Sequence, residues 1–118
     1  MGFKSRTILC VERPGAQREE RAAALKAAGY KVILTDDAKE ALRIFISQEL
    51  AAVLMDLRLG NGKKTSLRSE MNSIRPHVPI IALRPVESKS KTLTFFHHTF
   101  RDGKGNAALI ELLRDLLL

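Results

Sequence analysis

Five short apolar runs recur along the chain, at Ile8–Val11, Val32–Leu34, Ala52–Met55, Ile80–Leu83 and Leu93–Phe96. They are too short for helices and lack the alternation of a half-solvated strand, so they read as strands buried on both faces, as parallel strands are. A different spacing fills the gaps between them. Ala38, Ala41, Leu42, Phe45 and Ile46 fall at i, i+3, i+4, i+7 and i+8, one face of an α-helix, with Asp37 and Glu40 placed as a capping box ahead of it. Leu109, Leu112, Leu113, Leu116 and Leu117 repeat that spacing after the start signal Gly105-Asn106. The Ala-rich stretch from Ala16 to Ala28 predicts a further helix that stops at Gly29, where a left-handed cap is needed. Leu67, Met71 and Ile74 form the weakest stripe, closed by Arg75-Pro76.

Strand and helix alternate, so right-handed crossovers give an α/β fold with a doubly wound, five-stranded parallel sheet and helices on both faces. No repeat, linker or low-complexity stretch interrupts it, and residues 1–118 read as a single domain. One crossover is short. Only Arg84–Thr92 separates the fourth and fifth runs, with Pro85 in it and no apolar stripe. Such a segment holds one or two helical turns at about 1.5 Å per residue, so the fourth helix is expected to be shortened or absent, or else the fifth strand pairs unusually.

Composition changes this picture little: 45% hydrophobic and 28% charged residues exclude a disordered chain. Charge adds more. The net +7 is uneven, with nine basic against eight acidic side chains up to residue 56 and eleven against five beyond it. A basic field attracts nucleic acid, anionic membrane or acidic protein. The six aromatics are not interleaved with the basic residues, and no compact basic block occurs, which argues against nucleic acid and favours a solvated basic surface. No apolar run, the one through Ala51–Met55 included, approaches the roughly 20 residues that cross a bilayer, so no membrane association is expected. Met1–Arg6 is short and polar, unlike a signal peptide, and the lone Cys10 has no partner for an internal disulfide. A reducing cytoplasm is the expected location.

In doubly wound sheets ligands bind outside the carboxyl ends of the strands, near the point where strand order reverses. The residues just after each run are therefore the candidates: Glu12 and Arg13, Asp36 and Asp37, Asp56, Arg84, and His97 to Thr99. Asp56 is the sharpest, because a carboxylate at the end of a buried central strand can attack a phosphoryl group or ligate a metal. The others carry plainer readings. Asp36-Asp37 suit a helix cap, and adjacent His97-His98 in a strand face opposite sides and cannot chelate one ion. Gly60-Asn61-Gly62-Lys63-Lys64 lacks the spacing of a phosphate-binding loop and reads as the loop after the third strand. Cys10 sits inside an apolar run without a basic activator, so it packs rather than reacts.

Several segments in order resemble the receiver domain of bacterial two-component response regulators, whose fold is flavodoxin-like. Thr7–Val11 resembles its first strand, Ala27–Val32 the junction into the second, Asp37–Leu42 the start of the second helix, Val53–Leu57 the phosphoacceptor strand and Val78–Leu83 the fourth strand. The resemblance spans essentially the whole chain. It implies that Asp56 accepts a phosphoryl group from a histidine kinase, with magnesium screening the two anions. It implies no enzyme of its own and a protein partner, either that kinase or a downstream signalling protein.

Departures accompany it. Where the family carries two adjacent acids after the first strand, this chain has Glu12 and Arg13, so the implied magnesium site, reduced to Glu12 and Asp56, is weak or lost. The family's hydroxyl residue after the fourth strand is Arg84 here, and its lysine after the fifth has no match near His98 and Thr99. The chain resembles a degenerate, or pseudo-, receiver, implying no cofactor or only weakly held magnesium. Arg13 or Arg84 is expected to pair with Asp56 in place of the metal. Two alternatives stand beside this: the surplus positive charge makes a small anion site, or both arginines point into solvent. In function, a signalling module acting through protein contacts leads, with a working phosphoacceptor and a basic polyanion binder as alternatives. The leucines at the chain end suit either the core or a homodimer.

Overall fold

Along β1 (Thr7–Val11) the side chains alternate between two apolar clusters, Leu9 and Val11 entering one and Ile8 and Cys10 the other. The same division runs through β3 (Ala52–Asp56), with Val53 and Met55 on one face and Ala52 and Leu54 on the other. It continues in β4 (Ile80–Arg84), where Ile80 and Ala82 oppose Ile81 and Leu83. Each strand buries both faces, which is why no polar alternation marks it in the sequence. The computed structural model describes residues 5–56, 64–84, 98–101 and 105–117, the side chains of 64–66, 84 and 98–101 excepted.

Helices close both faces. α2 (Ala38–Ser47) and α3 (Lys64–Ile74) cover the first cluster with Ala41, Phe45, Leu67 and Met71. α1 (Ala16–Ala27) and α4 (Asn106–Leu117) cover the second with Leu25, Leu109 and Leu113. With β2 at Lys31–Thr35 and β5 at His98–Arg101, the sheet runs β2-β1-β3-β4-β5, every pair parallel. This is the expected doubly wound architecture. No helix among the described residues is long and apolar enough to cross a membrane.

Local signals acted as their chemistry requires. The Asp37 carboxylate accepts from the Glu40 backbone N–H at 3.0 Å, capping α2, and Gly29 ends α1 with φ at +97°, a conformation that suits glycine. Two stripe positions differ from the expectation. Ile46 is 52% and Ile74 44% exposed: Ile46 is rotated about 100° from the buried Phe45, and Ile74 is the last residue of α3, at the end of its stripe.

The fifth strand also differs. Expected at Leu93–Phe96, which lies outside the described residues, it is found at His98–Arg101. As an edge strand it pairs with β4 alone, so its residues need not form the apolar run that marks the inner strands. The segment in which a short fourth helix was expected lies outside the described residues, apart from Arg84, the last residue of β4.

Candidate functional site

The strand order reverses at β1, which carries β2 on one side and β3 on the other, and the carboxyl ends of β1 and β3 therefore border a crevice. Val11 is in register with Met55, which brings the next residues, Glu12 and Asp56, to the same rim. A cavity of about 270 Å³ opens there, lined by Glu12, Arg13, Gly15, Gln17, Arg18 and Asp56 among others. Both carboxylate residues are 2% exposed. Glu12 also continues the backbone pairing to β2, its N–H donating to the Thr35 carbonyl at 2.9 Å.

Burying two carboxylates is costly unless cations and donors meet them. Arg13 reaches Asp56, its Nε lying 3.9 Å from Oδ2, with its side chain 55% exposed. That separation exceeds a hydrogen bond and the contact is single rather than forked, so Arg13 acts as a nearby positive charge. Arg13 thus stands beside Asp56 as a charge, without the bidentate geometry expected of a pair that takes a metal's place. Glu12 is met more closely. The Nε of Arg21, on α1, donates to both Glu12 oxygens at 3.0 Å, with both side chains 3% exposed. Arg21 Nη1 also donates to Oδ1 of Asn106, the first residue of α4, at 3.2 Å.

Arg21 is the residue that sequence reasoning missed. It stands between the exposed Glu20 and the buried Ala22 on a helix whose inner face is otherwise small or apolar. The one signal was a charge adjoining the buried stripe of α1. Arg18 lies at the cavity too, its Nη2 3.7 Å from Glu19 Oε1. Cys10, in β1 two residues before Glu12, is fully buried; burial first, and then the Glu12 carboxylate, pushes its thiol well up from its ordinary range. A neutral buried thiol is inert, as its apolar surroundings suggested.

The remaining candidates divide by position. Asp37 serves the helix cap and Asp36 is exposed. Arg84 ends β4, one residue beyond Leu83, which is in register with Asp56. His98 and Thr99 lie inside β5, paired with Ile81 and Ala82, whereas Phe100, paired with Leu83, is level with Asp56. The carboxyl end of β5 is Arg101, so a basic residue does stand at that strand's end. The side chains of Arg84, His98, Thr99 and Arg101 are outside the described residues, and so is His97.

No protein-family model and no curated protein matches the chain. Solved structures do. A receiver domain protein from Methanospirillum hungatei JF-1, described as CheY-like, superposes with a TM-score of 0.85 at 19% identity, over 97% of this chain and 94% of that one. The fold is that of a receiver domain. The receiver domain of a sensor histidine kinase from Pseudomonas aeruginosa PAO1 matches with a TM-score of 0.85 at 27% identity, over 96% of this chain and 98% of its own. That protein holds a magnesium ion in its active site cleft. The signal receiver domain of an HD domain-containing protein from Pseudomonas fluorescens Pf-5 also gives 0.85, at 18% identity, over 99% and 90% of the two chains. Within the receiver fold, the crevice bearing Asp56 lies at the reversal of strand order.

Proposed function

We propose that this chain is a receiver-type module of two-component phosphorelay signalling in which magnesium binding and phosphorylation at Asp56 are impaired, and which acts through contact with a protein partner. The observation that carries this reading is the charge balance of the cleft. Asp56 has the Arg13 guanidinium at 3.9 Å, and Glu12 has both oxygens engaged by Arg21. Phosphoryl transfer to a carboxylate needs a cation that bridges the two anions and neutralises the developing charge. Magnesium demands oxygen ligands at about 2.0–2.1 Å in near-octahedral array. The two carboxylates that would supply them here are already met by guanidinium groups. The donor set does not fit the ion.

A cleft neutralised by its own arginines lacks the change of charge that drives the switch in a phosphorylated receiver. Its output is then set by fold and surface rather than by phosphate. A histidine kinase or a downstream signalling protein is the proposed partner, and a second copy of the chain an alternative one. The position of Asp56, at the end of a central strand beside the strand-order reversal, is what favours the second reading, a working phosphoacceptor.

Intact mass after incubation with acetyl phosphate, with and without magnesium and beside an Asp56→Asn control, separates the two. The expected result is no phosphoryl adduct in either condition. A magnesium-dependent adduct that disappears in the control would establish the second reading instead.

A further inference from the structure

We infer that Arg21 is the built-in counter-cation of this cleft, a positioning residue that holds the Glu12 carboxylate, ties it through Asn106 to the start of α4, and excludes divalent cations independently of Arg13. The inference rests on the proposed reading of the cleft and deepens it by assigning the exclusion to a residue on another element. A guanidinium that is 3% exposed cannot be a surface ornament, since a buried charge persists only where partners compensate it. Its partners are specific. Nε–H forks between the two Glu12 oxygens at 3.0 Å and Nη1–H meets Asn106 Oδ1 at 3.2 Å.

Arg13 differs in kind: more than half exposed and 3.9 Å from its carboxylate, it can swing into solvent with little loss. Removing Arg13 therefore leaves the Arg21–Glu12 pair untouched. A divalent cation entering the cleft would still have to draw Glu12 away from Arg21, breaking both contacts that the buried Nε makes to the carboxylate. The tether also joins the first residue of α4 to the rim of β1, so the cleft's charge state and the seating of α4 are mechanically linked.

The test uses the full chain carrying Arg13→Asp, alone and combined with Arg21→Gln, Arg21→Met or Arg21→Lys. Each protein is titrated with magnesium chloride by calorimetry, and its melting temperature is followed over the same series. Arg13→Asp alone is expected to stay close to wild type, whereas both neutral replacements bind magnesium at least about tenfold more tightly than Arg13→Asp. Arg21→Lys, which keeps the charge, is expected to show no such gain. A neutral variant too unstable to titrate is expected to regain its fold as magnesium is added, because binding to the folded state stabilises it; failure to do so counts against the proposal. It is overturned if Arg13→Asp alone binds as tightly as the neutral double variants, or if the lysine variant gains as much as they do. Wild-type protein that binds magnesium as tightly as the double variants would defeat the underlying reading of the cleft.

Discussion

Replacing Arg21 by Met in the otherwise unaltered chain removes one member of a buried ion pair while keeping an unbranched stem out to the position of Nε. Glu12 then keeps its 2% exposure and loses a donor that touched both of its oxygens at 3.0 Å. At an effective dielectric constant near 20, unit charges about 4 Å apart attract by about 4 kcal/mol, and breaking a buried pair by deleting one partner costs about 3–5 kcal/mol. Met returns some apolar packing beside Ala22 and Leu25, so the expected net loss lies at about 3 kcal/mol. That is a large share of the roughly 5–15 kcal/mol by which native chains are stable. The cost should also depend on pH. With the Arg21 charge removed, burial disfavours the charged form of Glu12 in the folded state, so the variant is expected to lose stability as pH rises above the ordinary carboxylate range. Urea unfolding followed by circular dichroism at about pH 5 and 7.5 measures both quantities, and the deficit against wild type should be the larger at the higher pH. Converting both partners, Glu12→Leu with Arg21→Met, is expected to recover most of the loss. A single-variant cost under about 1 kcal/mol, unchanged between the two pH values, would refute the assignment of Arg21 as the charge that holds Glu12.

Phe45→Ala, which empties a fully buried position between α2 and the sheet, should cost about 3–5 kcal/mol in urea unfolding. Asp37→Ala deletes the carboxylate that accepts the Glu40 N–H, and a loss of about 1 kcal/mol is expected, with Asp37→Asn losing less. Because burial raises the Cys10 thiol while an unfolded thiol ionises near its ordinary value of 9.0, wild-type stability is intact below that pH and declines above it. Wild type should therefore lose about 1 kcal/mol more than Cys10→Ala between about pH 8 and 10, measured by urea titration; equal losses would show that the thiol does not contribute.

The alternation of strands and helices was legible because hydrophobic period is a local property, and burial on both faces writes a continuous apolar run into β1, β3 and β4. Asp37, Gly29 and Gly105-Asn106 announced helix boundaries for the same reason, since a cap is decided within a few residues. Asp56 was legible as the residue that ends such a run, and Arg13 as its charged neighbour at the rim. β5 was not placed, because an edge strand pairs on one side and carries polar residues such as His98 and Thr99 that no periodic pattern requires.

The sequence by itself determined the order of elements, the doubly wound class and the candidates at the strand ends. Only the tertiary structure decided which charges meet. Arg21 and Glu12 are nine residues apart, and Asn106 lies 85 residues beyond Arg21, yet the three converge where α1 and α4 flank the end of β1. A helical arginine beside an alanine stripe looks the same in a sequence whether it faces water or a carboxylate. Its surroundings come from remote segments that fold brings together, and the field of a buried charge is set by those surroundings rather than by its neighbours in the chain.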